Sequence, residues 1–577
     1  MILNVYKIKN QLRSVSPPCI HIILMFVVSL AVFFAASCKE KEGDMIIIPI
    51  TGGVAHNAES GTTYSLSLLV SGLDGILVLQ NNGGDDDLTV ADNGYHTFAT
   101  GLTNDATYDV TILHRPGNQN CNVGNGIGSI ERANISNVTV FCSNKTWKYP
   151  SGLFDNIAPD GPSIAFDPQV AMDNNGNAII VWWQHNGSNF QIFKSEYRNG
   201  SWSHPVGLSN NISPNGQDAA NPQVAMDNNG NAIIVWHQNS GTGNQIYKSE
   251  YRNGSWSHPA YLSDNISPDG SDARYPRVAM DNNGNAIIVW DQLDGSNSQI
   301  FKSEYRNGSW SHPTDLSNNI SPDGQNAYNP KVVMDGNGNS IIVWEQQDGI
   351  NFQIFKSEYR NGSWIHPAQL TDNISLNGQT ANSPQVAMDN YGNAIIVWYQ
   401  NDGANYQIFK SEYRNSGWIH PANLSDNISP DGKFAYNPQV AMDDNDNAII
   451  VWMQESGTGD HIFKSEYRNG AWIHPVGLSD NISLDGQTAY FPVQISMDNA
   501  GNAIIVWNQS DGIHKQIFKS EYRSGSWTHP AHLSDNISPD DQDALEQQVA
   551  MDDNGNAIIV WRQFNGIQEQ IFMSEYR

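Results

Sequence analysis

The stretch Val170-Ala-Met-Asp-Asn-Asn-Gly-Asn-Ala-Ile-Ile-Val-Trp182 returns seven more times, almost unchanged, before the chain ends. Its tryptophan recurs every 54 residues in every case but one, where the interval is 55 residues. A fixed period of about 20–50 residues, or slightly more, is typical of solenoids, propellers and other repeat arrays. The chain is therefore built mainly from eight copies of one structural unit.

Each unit predicts four short strands, A to D, which in the first unit are residues 168–173, 178–184, 191–198 and 202–208. Strand B is apolar at successive positions, so both of its faces must be buried. A propeller blade lies between two neighbours and meets that requirement. Pro205 removes a ladder donor from strand D, which favours the outer edge of the blade.

The two ends of the repeat region predict a closed ring. The last unit stops at Arg577 and lacks a strand D, whereas an additional one, residues 147–154, precedes the first unit. Pairing these ends would remove the open edges. We therefore expect an all-β fold in which residues 146–577 form an eight-bladed β-propeller of four-stranded blades. The N-terminal strand 147–154 would close it.

The repeat core Val-Ala-Met-Asp-x-x-Gly-Asn-Ala-x-x-Val-Trp resembles bacterial propeller repeats, distantly sialidase-like in shape, over about three quarters of the chain. The resemblance implies the same fold. It implies much less about function, because one fold hosts many functions.

The N-terminus has the pattern of a secretory signal. Basic residues precede the apolar run 20–34, and the small residues 35–37 lead to Cys38. This arrangement resembles the lipobox of bacterial lipoproteins, which implies removal of residues 1–37, lipidation of Cys38 and a lipid anchor in the membrane. Lys39 after the cysteine implies, by the same resemblance, the outer membrane or cell surface. Plain secretion and an uncleaved anchor stay open as alternatives.

Residues 38–60 are polar and read as a tether, and residues 61–145 predict a small β-sandwich of short strands separated by Gly/Asn/Asp turns. Residues 75–89, with Cys121 and Cys142, resemble the Ig-like modules that follow the signal in some bacterial lipoproteins. Cys121 and Cys142 are the only pair of cysteines left in the exported chain, so we expect a disulfide. Two buried free thiols are the alternative.

Composition narrows the possible partners. The formal net charge is −29, and an acidic surface of that size repels nucleic acid. Asp173-Asn-Asn-Gly-Asn177 invites a calcium interpretation, but its glycine falls at position 4 where an EF-hand loop needs it at position 6. A hairpin turn is the interpretation we prefer. We predict no metal site and no cofactor.

The copies stop agreeing at one position, the residue between the tryptophan and the glutamine of strand B. If the protein recognises a specific ligand, we expect the face that carries this position and the B–C and D–A loops to bind it, since binding sites concentrate on loops of rigid scaffolds. Neutral drift at these positions is the alternative. The eight candidate ligand-binding residues are Trp183, His237, Asp291, Glu345, Tyr399, Met453, Asn508 and Arg562.

The functional expectation is a cell-envelope lipoprotein whose propeller is a binding scaffold for a protein or a surface polymer. A lectin-like propeller, with aromatic faces stacking on sugars, is the second hypothesis. A sialidase-like glycosidase is the third. Such an enzyme needs convergent arginines, an acid and a nucleophilic tyrosine, whereas identical blades distribute like residues around a ring. We therefore predict no catalytic residues.

Overall fold

The computed structural model describes residues 62–84, 86–161 and 164–577. The predicted signal peptide, Cys38 and the tether lie outside these residues. In the described chain all regular structure is β apart from one 3-10 turn, Leu533–Asp535. No helix among these residues is both long and apolar enough to cross a membrane.

The N-terminal part of the described chain forms two four-stranded sheets around one apolar core, with a short two-stranded pair beside them. One sheet has the order β5-β2-β10-β8 and the other β4-β3-β7-β9. The strands are β1 Thr63–Tyr64, β2 Leu66–Ser71, β3 Leu77–Asn81, β4 Asp87–Val90, β5 Gly94–Thr97, β6 Leu102–Thr103, β7 Thr107–His114, β8 Gln119–Gly124, β9 Ile127–Ser129 and β10 Ile135–Asn144.

The two cysteines of this part lie directly opposite each other. Cys121 on β8 pairs in register with Cys142 on the antiparallel strand β10, and a disulfide joins them. The predicted bridge is therefore confirmed. Both residues are buried in the core of the two sheets.

The remaining chain forms eight four-stranded antiparallel sheets, which we number as units 1 to 8. Each sheet runs A-B-C-D from its first to its last strand. In units 1 to 4 the strands are β12 Ala165–Met172, β13 Ala178–His185, β14 Phe190–Arg198, β15 Ser201–Ser203, β16 Ala219–Met226, β17 Ala232–Asn239, β18 Asn244–Arg252, β19 Ser255–Ser257, β20 Ala273–Met280, β21 Ala286–Leu293, β22 Ser298–Arg306, β23 Ser309–Ser311, β24 Ala327–Met334, β25 Ser340–Gln347, β26 Phe352–Arg360 and β27 Ser363–Ile365.

Units 5 to 8 repeat the pattern, except that the fourth strand of unit 8 comes from the start of the repeat region. Their strands are β28 Ala381–Met388, β29 Ala394–Asn401, β30 Tyr406–Arg414, β31 Gly417–Ile419, β32 Ala435–Met442, β33 Ala448–Glu455, β34 Asp460–Arg468, β35 Ala471–Ile473, β36 Ala489–Met497, β37 Ala503–Ser510, β38 Lys515–Arg523, β39 Ser526–Thr528, β40 Ala544–Met551, β41 Ala557–Phe564 and β42 Glu569–Tyr576, with β11 Trp147–Lys148 as the outer strand of unit 8.

The apolar runs of strand B explain why the units stack. The residues from Ile179 to Trp182 in unit 1 are fully buried, and their side chains point alternately to the two faces of the sheet. Ile179 and Val181 share a core cluster with Ile234 and Trp236 of unit 2. Every strand B is thus buried between two sheets, and the clusters continue from unit to unit.

The innermost strands make the array propeller-like. Each strand A contacts the next one, and β40 of unit 8 contacts β12 of unit 1. Trp147 and Lys148 of β11 pair in register with Tyr576 and Glu575 of β42. The first and last units are therefore neighbours, and the outer edge of unit 8 is covered.

Side chains of strands C and D tie each unit to the next. The Trp256 indole N–H donates to Glu196 Oε1 of the preceding unit at 2.6 Å, and the Arg198 guanidinium lies over the Tyr251 ring at 3.8 Å. The same pair of contacts closes the array, because Trp202 donates to Glu575 and Arg577 lies over Tyr197.

Strand D is shorter than the sequence predicted. In unit 1 it ends at Ser203, two residues before Pro205, and not at residue 208. His204 instead turns its Nδ1 to the buried Ser195 hydroxyl at 2.9 Å and stacks on Trp202. Since proline offers no N–H to a neighbouring strand, the chain leaves the sheet at this point.

Candidate functional site

A buried hydrogen-bonded frame holds the variable end of strand B. Trp182 donates its indole N–H to Gln184 Oε1 at 3.1 Å, and Gln184 Nε2 donates to the Pro159 carbonyl at 2.9 Å. The tryptophan–glutamine bond recurs in all eight units. Because successive side chains point to opposite faces, the residue between the two points away from this frame. Its identity can vary without disturbing the tryptophan–glutamine bond.

The structure places the eight candidate residues around a ring and does not gather them at one point. Each pairs in register with the second residue of strand A in its own unit. Asp291, Glu345, Met453 and Asn508 are buried, and Asn508 is 0% exposed. The half-buried members are Trp183, His237, Tyr399 and Arg562.

Several of these side chains are engaged within the protein. Trp183 stacks on Phe166 with ring centroids 4.7 Å apart and donates its N–H to Asp167 Oδ2 at 2.8 Å. Arg562 forms an ion pair with Glu546, the N–O distance being 3.0 Å. The polar groups of Trp183 and Arg562 therefore already have partners within the protein.

Burial also changes the charge of two members. Burial, and to a smaller extent the nearby Arg274, lower the pKa of His237 to about 4. Burial raises the pKa of Asp291 to about 7, with Arg277 acting in the opposite direction. At neutral pH His237 is therefore uncharged, and Asp291 carries only part of its charge.

One junction between units differs from the rest. Four variable positions flank every junction: the residue between the tryptophan and the glutamine of strand B, the first residue of strand C, and the residues before and after the first alanine of the next strand A. Only between units 5 and 6 are all four aromatic in the sequence. These residues are Tyr399, Tyr406, Phe434 and Tyr436.

The four rings surround a cavity of about 680 Å³, which we call the aromatic cavity. The Tyr399 and Tyr406 rings meet edge to face with centroids 5.3 Å apart, and Tyr406 lies 6.3 Å from the Phe434 ring. Phe434 is 44% exposed at the rim. Pockets with aromatic walls and a few polar groups are typical small-molecule sites.

Polar groups on strands β32, β33 and β34 and on the chain before β36 complete the aromatic cavity. Asp460 accepts a hydrogen bond from the Tyr436 hydroxyl, and burial together with this bond raises the pKa of Tyr436 above its usual range. Glu455 forms an ion pair with Lys433 at 3.0 Å. Asn437 and Thr488 also contribute to the wall. The cavity thus offers phenol, carboxylate, amide and hydroxyl groups beside ring faces.

Sequence reasoning found only one wall of this cavity, Tyr399. Tyr406, Phe434 and Tyr436 were missed because each copy was compared position by position and not junction by junction. The available signal was the coincidence of four aromatic residues at one junction. It becomes visible only when the end of one unit is aligned with the start of the next.

The recurring turn is a structural hairpin in which the carboxylate has its own partners. Asp173 Oδ1 accepts the backbone N–H groups of Asn175 and Asn177 at 2.9 and 2.8 Å, and Oδ2 accepts the Asn177 amide at 2.7 Å. Among the residues that the structure describes, no group of three or more His, Cys, Asp or Glu side chains is arranged to hold a metal ion.

Comparisons with known proteins give weak similarities of fold. No family model matches the chain, and no curated protein matches it. A polysaccharide lyase of family PL25, an ulvan lyase, is 10% identical with a TM-score of 0.40, covering 60% of this chain and 90% of its own. An α-L-arabinanase of Penicillium chrysogenum is 10% identical with a TM-score of 0.32, covering 61% and 92%.

A fucose-specific lectin of Aleuria aurantia is 12% identical with a TM-score of 0.29, covering 54% of this chain and 96% of its own. At such low identities and TM-scores, these similarities assign no activity to this chain. The function has to be argued from its own residues.

Proposed function

We propose that this protein is a carbohydrate-binding protein of the cell envelope, with the aromatic cavity as its binding site. In this proposal residues 38–60 tether a lipid-anchored Cys38 to an Ig-like module, and the eight four-stranded units are the blades of an eight-bladed β-propeller. The bound polymer is a surface or environmental polysaccharide, and the protein binds it without cleaving it.

The observation that carries the proposal is the aromatic cavity itself. A sugar ring has an apolar face of C–H groups and a rim of hydroxyl groups. Aromatic rings bury such faces while nearby polar groups hydrogen-bond the rim. The rings of Tyr406 and Phe434 supply apolar faces, while Asp460, Asn437 and Thr488 supply acceptors and donors.

The N-terminal module contacts the face of the propeller opposite to the aromatic cavity, which is consistent with the cavity as the binding site. Lys145 follows the module and donates hydrogen bonds to the carbonyls of Gly117, in the module, and Asn554, in the A–B turn of unit 8. The aromatic cavity lies at the opposite ends of strands A and B from the A–B turns, near the B–C and D–A loops. The module therefore covers part of the turn face and leaves the cavity accessible.

Binding without turnover fits the two carboxylates near the cavity. Asp460 is engaged with Tyr436, and Glu455 is paired with Lys433 at 3.0 Å. In a glycosidase, by contrast, two carboxyl groups act on the scissile bond itself, one as acid and the other as base or nucleophile. We therefore expect the purified protein to retain a polysaccharide while releasing no shorter sugars from it.

Glycan binding by the purified protein tests the proposal, first on an array and then by calorimetry with the ligand found. Tyr406→Ala is expected to weaken binding at least ~10-fold, because a buried aromatic anchor typically contributes more than ~1.4 kcal/mol. Phe190→Ala removes the aromatic residue at the equivalent position of unit 1 and should leave the affinity unchanged. Equal losses in both variants, or no loss in Tyr406→Ala, would overturn the assignment of this site.

A further inference from the structure

A second cavity lies on the axis of the ring, where all eight innermost strands meet. It has a volume of about 350 Å³, and we call it the axial cavity. Each strand A contributes the residue that pairs with the valine of strand B, as Gln169 pairs with Val181 in unit 1. This residue is glutamine in six units, but it is Arg277 in unit 3 and Lys331 in unit 4.

The two cations are neighbours without a close counter-ion. Strands β20 and β24, which carry Arg277 and Lys331, contact each other directly. Arg277 donates one guanidinium N–H to the Pro276 carbonyl at 2.9 Å. In the described part of the chain, no carboxylate oxygen lies within 4.0 Å of either cationic group.

The acids that act on this pair are Asp291 and Asp167 at Arg277 and Glu345 at Lys331, and each is engaged or partly neutral. Asp167 lies in the wall of the axial cavity, where its carboxylate accepts the Trp183 indole N–H at 2.8 Å. Glu345 accepts hydrogen bonds from the Asn329 amide at 2.6 Å and the Ser383 backbone N–H at 2.8 Å. Asp291 is 7% exposed, and burial raises its pKa to about 7. Burial, and then the neighbouring Arg277, lower the pKa of Lys331 well below its usual value, and burial also lowers the pKa of Arg277. The surroundings therefore oppose positive charge on this pair and compensate it only in part.

The fold itself does not require these charges. Six units have glutamine at the same register position with the same strands around it, so an uncharged amide fits the site. In a chain with a net charge of −29, two adjacent enclosed cations are also contrary to the general composition. A charge that the fold does not need and that burial opposes indicates a ligand of opposite sign.

We propose that Arg277 and Lys331 form a binding site for a sulfate or phosphate group in the axial cavity. A planar guanidinium offers two parallel N–H donors to an oxyanion, and an ammonium adds a compact charge beside it. Gln223 and Gln385, which flank the pair on the neighbouring strands, supply amide donors for the remaining oxygens.

The cavity is larger than the group itself, so the oxyanion can be free or can be an ester on a carbohydrate. Asn437 belongs to the walls of both the axial and the aromatic cavities. A sulfated polysaccharide could therefore contact both sites, and this extension rests on the proposed function. The oxyanion site itself does not depend on it.

Thermal unfolding and calorimetry of the purified protein with sodium sulfate or sodium phosphate, against sodium chloride at equal ionic strength, test the site. The wild type is expected to gain stability with either oxyanion and to show a saturable heat. Arg277→Gln and Lys331→Gln, which install the residue of the other six units, should each weaken binding at least ~10-fold. Lys148→Gln removes the same charge from an exposed side chain and should leave the response to either oxyanion unchanged.

A second experiment compares binding of a sulfated and an unsulfated form of one polysaccharide, and it identifies whether the oxyanion is free or attached to a carbohydrate. Preference for the sulfated form that disappears in Lys331→Gln places the group on a carbohydrate, whereas binding of inorganic sulfate alone identifies a free anion; either result supports the site. Equal sulfate responses in wild type and the Arg277→Gln/Lys331→Gln double variant would overturn it. The Tyr406→Ala variant should bind inorganic sulfate normally, so failure of one proposal is distinguishable from failure of the other.

Discussion

At the scale of single residues, the turn between strands A and B was largely predictable. The repeat places glycine at the fourth position from the aspartate in seven units and Asp446 in the remaining one, unit 6. Gly176 has φ 78° and Asp446 has φ 65°, both in the left-handed region. Aspartate is one of the few side chains that tolerate this region, and here Asp446 also pairs with Arg414. The pairing was not predictable, because it depends on strand C of the preceding unit.

Glu250 illustrates the contacts that hold neighbouring units together. Its carboxylate accepts the Trp310 indole N–H at 2.7 Å and the Arg252 Nε–H at 3.0 Å, and it is paired with Lys248. Burial acts to raise the pKa of Glu250, but Lys248 and the hydrogen bonds outweigh it, so the pKa lies below its usual value. The ionised form therefore stabilises the fold.

Glu250→Gln is expected to lower the free energy of unfolding by about 1–3 kcal/mol at pH 7, since charge-assisted hydrogen bonds are lost. A depressed carboxyl pKa contributes stability above its unfolded value of 4.5, and this contribution disappears as the pH falls through the folded pKa. The difference in Tm between wild type and variant should therefore shrink as the pH falls below 4.5. Glu131→Gln, at an exposed position, provides the control; a pH-independent difference would argue against this role.

At the scale of strands, the pattern of residues predicted the order and type of the elements better than their ends. Strand B has the expected start at Ala178 because its apolar run is continuous. Strand A begins earlier than expected, at Ala165, and contains an irregularity between Phe166 and Gln169. The apolar pattern does not report such a bulge, since it depends on backbone geometry around Pro168.

The aromatic cavity also depends on strand pairing. Tyr406 begins a strand C, and Phe434 precedes the strand A of the next unit, so 28 positions of sequence separate residues whose rings are 6.3 Å apart. At four other junctions the residue equivalent to Phe434 is Asp or Asn, and its side chain accepts the backbone N–H of the residue equivalent to Tyr406. Phe434 cannot accept that bond.

Phe434→Asn is therefore expected to stabilise the protein and weaken carbohydrate binding together. The amide restores the acceptor that Asn326 provides to the Ser298 N–H at 2.9 Å, which is worth about 1 kcal/mol, while Phe434 loses little burial because it is 44% exposed. Loss of its ring should weaken binding ~10-fold. Thr380→Asn, at the junction of units 4 and 5, should give a similar stability gain with unchanged binding. A Phe434→Asn variant that binds normally would remove Phe434 from the site.

At the scale of the whole molecule, the contact between the N-terminal module and the repeat array was not predicted. The sequence predicted only a domain boundary at residue 145, not a contact between the two domains. Lys145 is 4% exposed and donates to the carbonyls of Gly117 and Asn554. Nothing in a single lysine at a domain boundary reports burial, because burial there depends on how two separately folded surfaces meet.

The titration of Lys145 makes this contact measurable. Burial lowers its pKa to about 8, although Asp552 acts to raise it. Because the unfolded chain holds this proton up to about pH 10.5, the folded state binds fewer protons between the two values, and stability rises with pH over this window. The contribution of Lys145 to the free energy of unfolding is therefore lowest below pH 8, where the buried side chain is protonated.

Comparing wild type with Lys145→Met by thermal unfolding between pH 7 and pH 9.5 isolates this effect, since groups titrating elsewhere affect both proteins equally. The stability of the wild type relative to the variant is expected to increase by up to about 2 kcal/mol across the range. Lys148→Met, three residues away and with a side chain 67% exposed, should show no such trend. A constant difference between wild type and Lys145→Met would mean that the ammonium stays hydrated, and that the module does not bury it against unit 8 in solution.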